Sequence, residues 1–443
     1  MCDEAGSRKL PEVSVDARTR TDGPISVIDP ADFFETDLPA WLVEGAERLA
    51  PAARWMQPAP LTVSVAGREW TLRSESGRIE VVAGATSELR LVLTAADLTD
   101  LVVDLVTPMA WFISGALDTT ARLELLLDWW VLLRGAIDRR TPYAPGASAP
   151  MTFADADGSP LELGRTFRAD DDVSEMRHFL GEAGFLHIAG LFDVGEMATI
   201  SADMDRAAPG YERGDGRSWW ARTEDGGDRL VRMQGFEGQS PTTSDLIGDA
   251  RFLRLADISG ARHRFASFGP SRVEALVKPL GVVEGISDVP WHKDCANGRH
   301  SYDCCGLTVG ISVTGADAAS GQLRVVAGSN RVLVWPSFVR RGQDLPMLDL
   351  PTSTGDVTMH LSCTTHMAQA PVTQRAEGPL HRLQPAGRRF RGGRRGPRPA
   401  PSRTRGRAGD RLTAADAAAS LTHPAPADRT PVRSVRQSAG ATP

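Results

Sequence analysis

Two segments, VPWHKDCANG (residues 289–298) and TGDVTMHLSCTTHMAQ (residues 354–369), decide the fold of the C-terminal half of this chain. In the first, His292 and Asp294 lie two residues apart, and side chains at that spacing in a strand project to the same side. The second adds two histidines. Two histidines and one carboxylate hold non-haem Fe(II) with positions left open. We therefore expect a metal site formed by His292, Asp294 and one histidine of the second segment.

The second segment offers two candidates for that histidine, His360 and His366. If both lie on one strand, they share a face but stand roughly 20 Å apart, so only one can bind the metal. Cysteines are also frequent around these segments, at Cys295, Cys304, Cys305 and Cys363. They show no C-x-x-C spacing, so a thiolate zinc site is not favoured.

The remaining C-terminal half predicts short strands and a few helices. An amphipathic helix from Val173 ends at Gly184, a strand follows from Phe185, and a further helix starts at Val194. Short apolar runs then occur at 307–313, 323–326 and 357–361, separated by Gly, Asn and Asp. Many short strands with such turn residues predict a double-sheet barrel or jelly roll.

The N-terminal half predicts a separate α+β domain over residues 27–140. Apolar and polar residues alternate from Leu61 to Leu93, which predicts three or four antiparallel strands with one buried face. The spacing then changes to that of helices, one over 98–105 that ends before Pro108 and one over 123–137. Residues 1–26 are expected to be a disordered leader and residues 141–168 a linker.

Four segments in a fixed order give the C-terminal half a resemblance to a known family. They are FLGEAGFLHIAGLF (179–192), WHKDCANG (291–298), SGQLRVVAGSNR (320–331) and GDVTMHLSCTTHMAQAP (355–371). This order resembles the phytanoyl-CoA dioxygenase family of Fe(II)- and 2-oxoglutarate-dependent oxygenases. The resemblance implies a double-stranded β-helix, a jelly-roll or cupin-like barrel with flanking helices, over residues 169–375. It also implies that His292, Asp294 and His366 are the metal ligands.

The same resemblance implies Fe(II) as cofactor and 2-oxoglutarate and O2 as cosubstrates. The distal carboxylate of 2-oxoglutarate needs a cation, and Arg375, nine residues after His366, stands where relatives supply an arginine. Relatives often carry a hydroxyl residue two positions after the distal histidine, where this chain has Ala368. Thr308, on the strand after the His-x-Asp segment, is the candidate to replace it. Asp294 disfavours halogenation, because related halogenases lack that carboxylate.

The implied reaction is hydroxylation of an apolar or lipid-like small molecule, with succinate and CO2 as coproducts. In the N-terminal half, DLTDLVVDLVTPMAWFISGALDTTARLELLLDWWVLLRG (97–135) resembles the sterol-carrier-protein-2-like lipid-binding domain. That resemblance implies a domain that holds or presents the substrate, although its aromatic residues are favoured as ordinary core. The alternative is a non-catalytic lipid-binding protein with a degenerate barrel.

Charge is distributed unevenly along the 443 residues. The formal net charge is −6, but residues 371–443 contain 15 Arg and 4 acidic residues, so that segment carries +11 and residues 1–370 carry −17. The Arg-, Pro- and Gly-rich segment 376–443 predicts a disordered tail that cannot form closing strands. Its composition also favours the hypothesis of a frameshift in GC-rich DNA. A nucleic-acid partner is therefore not expected.

Cellular location is expected to be cytoplasmic. No uncharged apolar run is long enough for a membrane span, and the N-terminus lacks the pattern of a secretory signal. The five cysteines are an odd number without framework spacing, which fits reduced thiols. Nothing in the sequence indicates an oligomeric state.

Overall fold

The computed structural model describes residues 26–146, 151–259, 273–285, 289–297 and 307–372, and the backbone of residues 380–385. These residues belong to one compact unit, and the second unit, 404–443, lies outside them. The expected leader, Arg375 and nearly all of the expected tail also lie outside the described residues.

The N-terminal half contains a five-stranded sheet in the order β3-β2-β1-β4-β5. Its strands are β1 (Leu61–Val65), β2 (Arg68–Glu75), β3 (Arg78–Ala83), β4 (Arg90–Leu93) and β5 (Asp118–Thr119). The prediction of purely antiparallel strands is wrong, because β1 pairs parallel with β4. The β2–β3 hairpin occupies one side of β1 and serves as the crossover that a parallel neighbour requires.

The described residues of the same half contain six helices. They are α1 (Pro30–Asp32), α2 (Leu38–Glu44), α3 (Ala46–Met56), α4 (Ala95–Val102), α5 (Pro108–Ser114) and α6 (Leu123–Ile137), with a π-helical turn at Phe33–Asp37. The prediction of α6 is confirmed, but α5 was not predicted. The helix predicted over 98–105 corresponds to α4, which ends at Val102, before Pro108. Pro108 opens α5, because Thr107 accepts a hydrogen bond from the amide of Ala110 and caps the new helix.

The C-terminal half contains two further sheets. The larger has nine strands in the order β11-β8-β9-β10-β18-β13-β16-β7-β6, and the smaller has the order β12-β17-β14-β15. The strands are β6 (Phe167–Arg168), β7 (Phe185–Ala189), β8 (Ser218–Thr223), β9 (Asp228–Gln234), β10 (Val273–Lys278), β11 (Val282–Glu284), β12 (Val289–His292), β13 (Leu307–Ser312), β14 (Leu323–Val326), β15 (Met347–Leu350), β16 (Val357–Leu361), β17 (His366–Ala368) and β18 (Leu380–Pro385).

Both sheets contribute to one hydrophobic core, Val309 and Met359 from the larger and Val325 and Leu350 from the smaller. The helices of this half are α7 (Val173–Ala183), α8 (Val194–Ala207), α9 (Pro241–Leu246) and α10 (Ala250–Ile258), with 3-10 turns at Ala208–Gly210, Phe236–Gly238 and Asp294–Asn297. The chain is therefore a mixed α+β protein with several antiparallel sheets. The predicted strands at 307–313, 323–326 and 357–361 agree with β13, β14 and β16.

Two segments differ from their expected character. The predicted linker packs against the rest of the chain: the amide of Tyr143 donates to Leu333, and Phe167 is fully buried in β6. The prediction that residues after 375 cannot form strands is wrong for β18, whose backbone pairs with β10 and β13. Because ladder hydrogen bonds are made by the backbone, composition alone could not exclude a strand between these two.

None of the helices that the structure describes is both long and apolar enough to cross a membrane.

The turn before β16 depends on Gly355, whose φ is +87°. A Cβ there would lie 2.1 Å from the carbonyl oxygen of Phe192. Gly158 has nearly the same φ, +86°, with no atom near its Cβ position, so Gly158→Ala is a matched control. We expect Gly158→Ala to lower the free energy of unfolding by about 1–2 kcal/mol from backbone strain. For Gly355→Ala we expect a further loss of roughly 1–3 kcal/mol from the clash, measured by denaturant unfolding. Equal losses would contradict a clash at Gly355.

Candidate metal centre

Two histidines from distant parts of the sequence meet across the smaller sheet. β12 ends at His292, and its direct register partner on β17 is His366. The two imidazole centroids are 4.2 Å apart, and His366 is buried while His292 is partly exposed. The register of one antiparallel pair thus places both side chains at one point.

Asp294 joins this pair from the 3-10 turn that follows β12. Its Oδ1 lies 3.2 Å from Nε2 of His292 and 3.6 Å from Nε2 of His366. One ligand atom from each of the three residues falls within 4.8 Å of the others. The structure therefore brings together the three residues that the sequence analysis selected.

Hydrogen bonds to main-chain carbonyls fix how both histidines present their rings. Nδ1 of His292 contacts the carbonyl of Pro290 at 2.8 Å, and Nδ1 of His366 contacts that of Thr364 at 2.9 Å. A carbonyl only accepts, so each Nδ1 carries a proton, and a neutral imidazole of this form has its free lone pair on Nε2. The Nε2 atom of each ring lies near Oδ1 of Asp294, and a carbonyl partner at the other ring nitrogen is common among metal-binding histidines.

The second carboxylate oxygen of Asp294 is held by the larger sheet. Its Oδ2 accepts a 2.7 Å hydrogen bond from the Thr308 hydroxyl and lies 3.4 Å from Nε2 of His360. Thr308 and His360 are direct register partners on β13 and β16. This contact leaves Oδ1 as the oxygen that faces His292 and His366.

The expected separation of His360 from His366 is wrong. Their ring centroids are 4.0 Å apart, because β16 ends at Leu361 and residues 362–365 turn the chain into β17 of the other sheet. The run of small polar residues SCTT at 362–365 was the one sequence signal for this turn. A single strand from 357 to 366 would have needed apolar alternation through that run.

Burial and the neighbouring side chains shift the pKa values of Asp294 and His366. Burial acts to raise the pKa of Asp294, but His366, His292 and His360 outweigh it and hold this pKa well below its usual range. Burial, with the neighbouring His360 and His292, lowers the pKa of His366 well below its usual range. A neutral imidazole and an ionised carboxylate are the forms that bind a divalent metal, so the donor set fits Fe(II).

Lys293, between the two predicted ligands, was not singled out by the sequence analysis. It is fully buried, and its Nζ donates to the carbonyl of Ser329 at 2.9 Å. The Ser329 hydroxyl in turn accepts from the amide of Thr365, next to His366. Lys293 therefore ties the end of β12 to the start of β17 from the side opposite the metal cluster.

Other predicted residues have different outcomes. Arg375, the expected 2-oxoglutarate ligand, lies outside the described residues. The Thr308 hydroxyl contacts Asp294, and its contact with 2-oxoglutarate stays a prediction. Residues 328–331 form a turn: Asn330 donates to the carbonyl of Gly181, and Arg331 pairs with Glu182.

The N-terminal half reaches this centre through α5, which contacts the 3-10 turn that carries Asp294. Trp111 and Phe112 of α5 are partly buried, and Ile113 is 47% exposed. An apolar helix surface thus lies beside the turn that carries Asp294, one of the three candidate metal ligands.

A comparison with protein-family models agrees with the resemblance stated for the C-terminal half. The model of the phytanoyl-CoA dioxygenase (PhyH) family matches residues 180–376, which contain His292, Asp294 and His366. No curated protein sequence matches the chain. The family match and the three-residue cluster together support Fe(II), 2-oxoglutarate and O2 as cofactor and cosubstrates.

Several solved structures are similar over about half of the chain. The epimerase SnoN, in complex with Fe3+, alpha ketoglutarate and nogalamycin RO, is 19% identical with a TM-score of 0.37, over 48% of this chain and 82% of that one. AviO1 from Streptomyces viridochromogenes Tue57 is also 19% identical, with a TM-score of 0.37 over 48% and 93%. The alpha ketoglutarate dependent carbocyclase SnoK from nogalamycin biosynthesis is 20% identical, with a TM-score of 0.36 over 50% and 86%.

The Thr308 contact predicts a measurable effect on metal affinity. Thr308→Val preserves the shape of the side chain but removes the donor to Oδ2 of Asp294, so we expect about 10- to 100-fold weaker Co(II) binding in a titration of the metal-free protein. Ser312→Ala is the control, since Ser312 is a buried hydroxyl on the same strand that bonds to Thr352. Its affinity should stay within about twofold of the parent. Equal affinities in both variants would show that Thr308 does not orient the carboxylate.

Proposed function

We propose that this chain is an Fe(II)- and 2-oxoglutarate-dependent dioxygenase of the phytanoyl-CoA dioxygenase type that hydroxylates an apolar, lipid-like small molecule. The observation that carries this proposal is the convergence of His292, Asp294 and His366 inside the segment that the family model matches. A double-stranded β-helix is the corresponding fold, and the two sheets around one core support it.

In this proposal each protein group of the centre has a defined task. The Nε2 atoms of His292 and His366 and Oδ1 of Asp294 hold the metal. Fe(II) bound there supplies O2 activation coupled to decarboxylation of 2-oxoglutarate to succinate and CO2. The carbonyls of Pro290 and Thr364 keep the two rings oriented.

For the cosubstrate, we assign the distal carboxylate of 2-oxoglutarate to Arg375, since a guanidinium binds a carboxylate in a bidentate manner. Thr308 is the proposed hydroxyl partner. Its single O–H proton is donated to Asp294 in this structure, so the hydroxyl would have to turn from Asp294 to the cosubstrate carboxylate on binding.

We further propose that the N-terminal half is a sterol-carrier-protein-2-like domain that presents the apolar substrate. The mixed five-stranded sheet and the apolar α5 beside the Asp294 turn support this assignment. Deletion of the domain would not be a clean test, because Trp55 and Tyr143 pack in a core shared with residues of the C-terminal half. Point substitutions on α5 are therefore preferable.

The reaction class is tested by succinate formation from 2-oxoglutarate with Fe(II) and O2. We expect the intact chain to form succinate and His292→Ala to lose at least about 100-fold of that activity, because one of three protein ligands is removed. His178→Ala is the control, since His178 contacts the carbonyl of Ala154 outside the cluster. Its rate should equal that of the parent.

The same measurement separates the dioxygenase from a non-catalytic lipid-binding protein. Folded protein that takes up no Fe(II) and forms no succinate would support the binding protein and contradict the proposal. Iron uptake that is lost in His292→Ala but kept in His178→Ala would support the proposed centre independently of any turnover.

The role of α5 is tested by binding of a fluorescent long-chain fatty acid to the metal-free protein. We expect Ile113→Glu to weaken binding about tenfold, because a charge replaces an exposed apolar side chain beside the centre. Val43→Glu is the matched control: Val43 is 77% exposed on α2 of the same half. Its affinity should change less than about twofold. Equal losses, or no loss in Ile113→Glu, would argue against α5 as the substrate surface.

A further inference from the structure

A buried carboxylate on α6 bonds to the C-terminal half. Asp128 is 7% exposed, and its Oδ1 accepts hydrogen bonds of 2.8 Å from Nε1 of Trp335 and from Nε of Arg340. Nη2 of Arg340 completes a two-point contact with Oδ2 at 3.1 Å. Such a bidentate pair fixes direction as well as distance.

Arg340 makes additional contacts with the N-terminal half. Its Nη2 donates to the carbonyl of Met56 at 2.9 Å, and its guanidinium lies 4.4 Å from the ring centroid of Trp55. It also lies 5.9 Å from the ring of Trp335. Trp335 therefore bonds to α6, and Arg340 bonds to both α6 and the end of α3, so segment 335–340 is held at both of its ends.

The middle of this segment holds the outer edge of the strand that carries His292. β12 is an edge strand of its sheet, paired with β17 on one side. On its other side, the carbonyl of Trp291 accepts from the amide of Phe338 at 2.8 Å and from the hydroxyl of Ser337 at 3.2 Å. His292 itself forms a β-bridge with Ser337.

Side-chain packing follows the same route. Trp291 packs against a small core whose buried members are Tyr143, Val326, Val334 and Leu345. Trp55 of α3 packs on that core as well. The residue immediately before His292 thus contacts a core built from both halves of the chain.

We propose that Asp128 is a positioning residue for His292. By holding Trp335 and Arg340, Asp128 fixes segment 335–340 against the outer edge of β12. The N-terminal half thus sets the position of His292, although the three proposed metal ligands all lie in the C-terminal half. An edge strand with a bulged ladder on one side depends on such support, because few backbone hydrogen bonds hold it otherwise. Of its two readouts, Co(II) binding rests on the proposed metal site, whereas amide exchange does not.

The Asp128 carboxylate is better explained by its positioning of Arg340 than by a contribution to the free energy of unfolding. Replacing a buried ion pair with apolar residues is often neutral or stabilising, whereas removing one partner is costly. Burial also raises the pKa of Asp128, which Arg340 and the indole N–H of Trp335 oppose. What the pair adds is a defined orientation of Arg340.

The test measures amide hydrogen exchange in the full-length, metal-free protein. In Asp128→Asn we expect the amides of residues 289, 291 and 292, since Pro290 has none, and that of Phe338 to exchange about tenfold faster than in the parent. Trp335→Phe, which removes a single donor, should change the same amides in the same direction by a smaller factor. This milder variant remains informative if Asp128→Asn fails to fold.

The matched control is Arg134→Met. Arg134 is a fully buried charge on the same helix, and it pairs with Asp138 and donates to the carbonyls of Leu101 and Val102, all in the N-terminal half. We expect faster exchange around those partners and unchanged exchange at 289–292. Equal acceleration at 289–292 in both variants, or none in Asp128→Asn, would overturn the proposal.

Metal binding supplies the second readout. Asp128→Asn should bind Co(II) about tenfold more weakly and shift the visible absorption of the bound metal, while Arg134→Met should keep the parent spectrum. If the parent binds no Co(II), the proposed centre is wrong and His292 is not a metal ligand, while the exchange experiment still decides whether Asp128 holds β12 through segment 335–340. Faster exchange at 289–292 with an unchanged spectrum would show that β12 is supported without positioning His292, and would overturn the proposal.

Discussion

The pairing of β12 with β17 is the constraint on which the candidate centre depends. It places His292 directly opposite His366, and neither side chain would reach the other without this register. A slip of one residue would turn one of the imidazoles to the opposite face of the sheet. Asp294 can complete the set only because the chain turns immediately after His292, at the end of the strand.

The centre joins the two sheets of the C-terminal half rather than belonging to one. His292 and His366 are in the smaller sheet, while Thr308 and His360 of the larger sheet contact the far oxygen of Asp294. The two oxygens of Asp294 therefore have different partners: Oδ1 faces the imidazoles of His292 and His366, and Oδ2 accepts the hydrogen bond from Thr308. Outer contacts of this kind commonly tune the affinity of a metal site.

Local patterns were sufficient for much of the fold, whereas the choice of the three candidate site residues also needed the family resemblance. α6, α7 and the strands β13, β14 and β16 follow from periodicity and from punctuation by glycine, because their burial matches one period throughout. The errors occur where partners distant in sequence decide. His360 lies close to His366 because the chain turns between two sheets. β4 pairs parallel with β1 because the β2–β3 hairpin acts as a crossover, and β18 forms because it pairs with β10 and β13 through backbone hydrogen bonds.

The sequence alone determined the chemistry available to this protein: two histidines and an aspartate in a family-like order, and an apolar helical segment beside a small sheet. Only the tertiary structure decided that Lys293 bonds to the carbonyl of Ser329, that Thr308 donates to Oδ2 of Asp294, and that Asp128 pairs with Arg340. The physical reason is the sequence separation over which each kind of information acts. Residue types and periodicity record local preference, whereas hydrogen bonds between buried side chains depend on how distant segments pack.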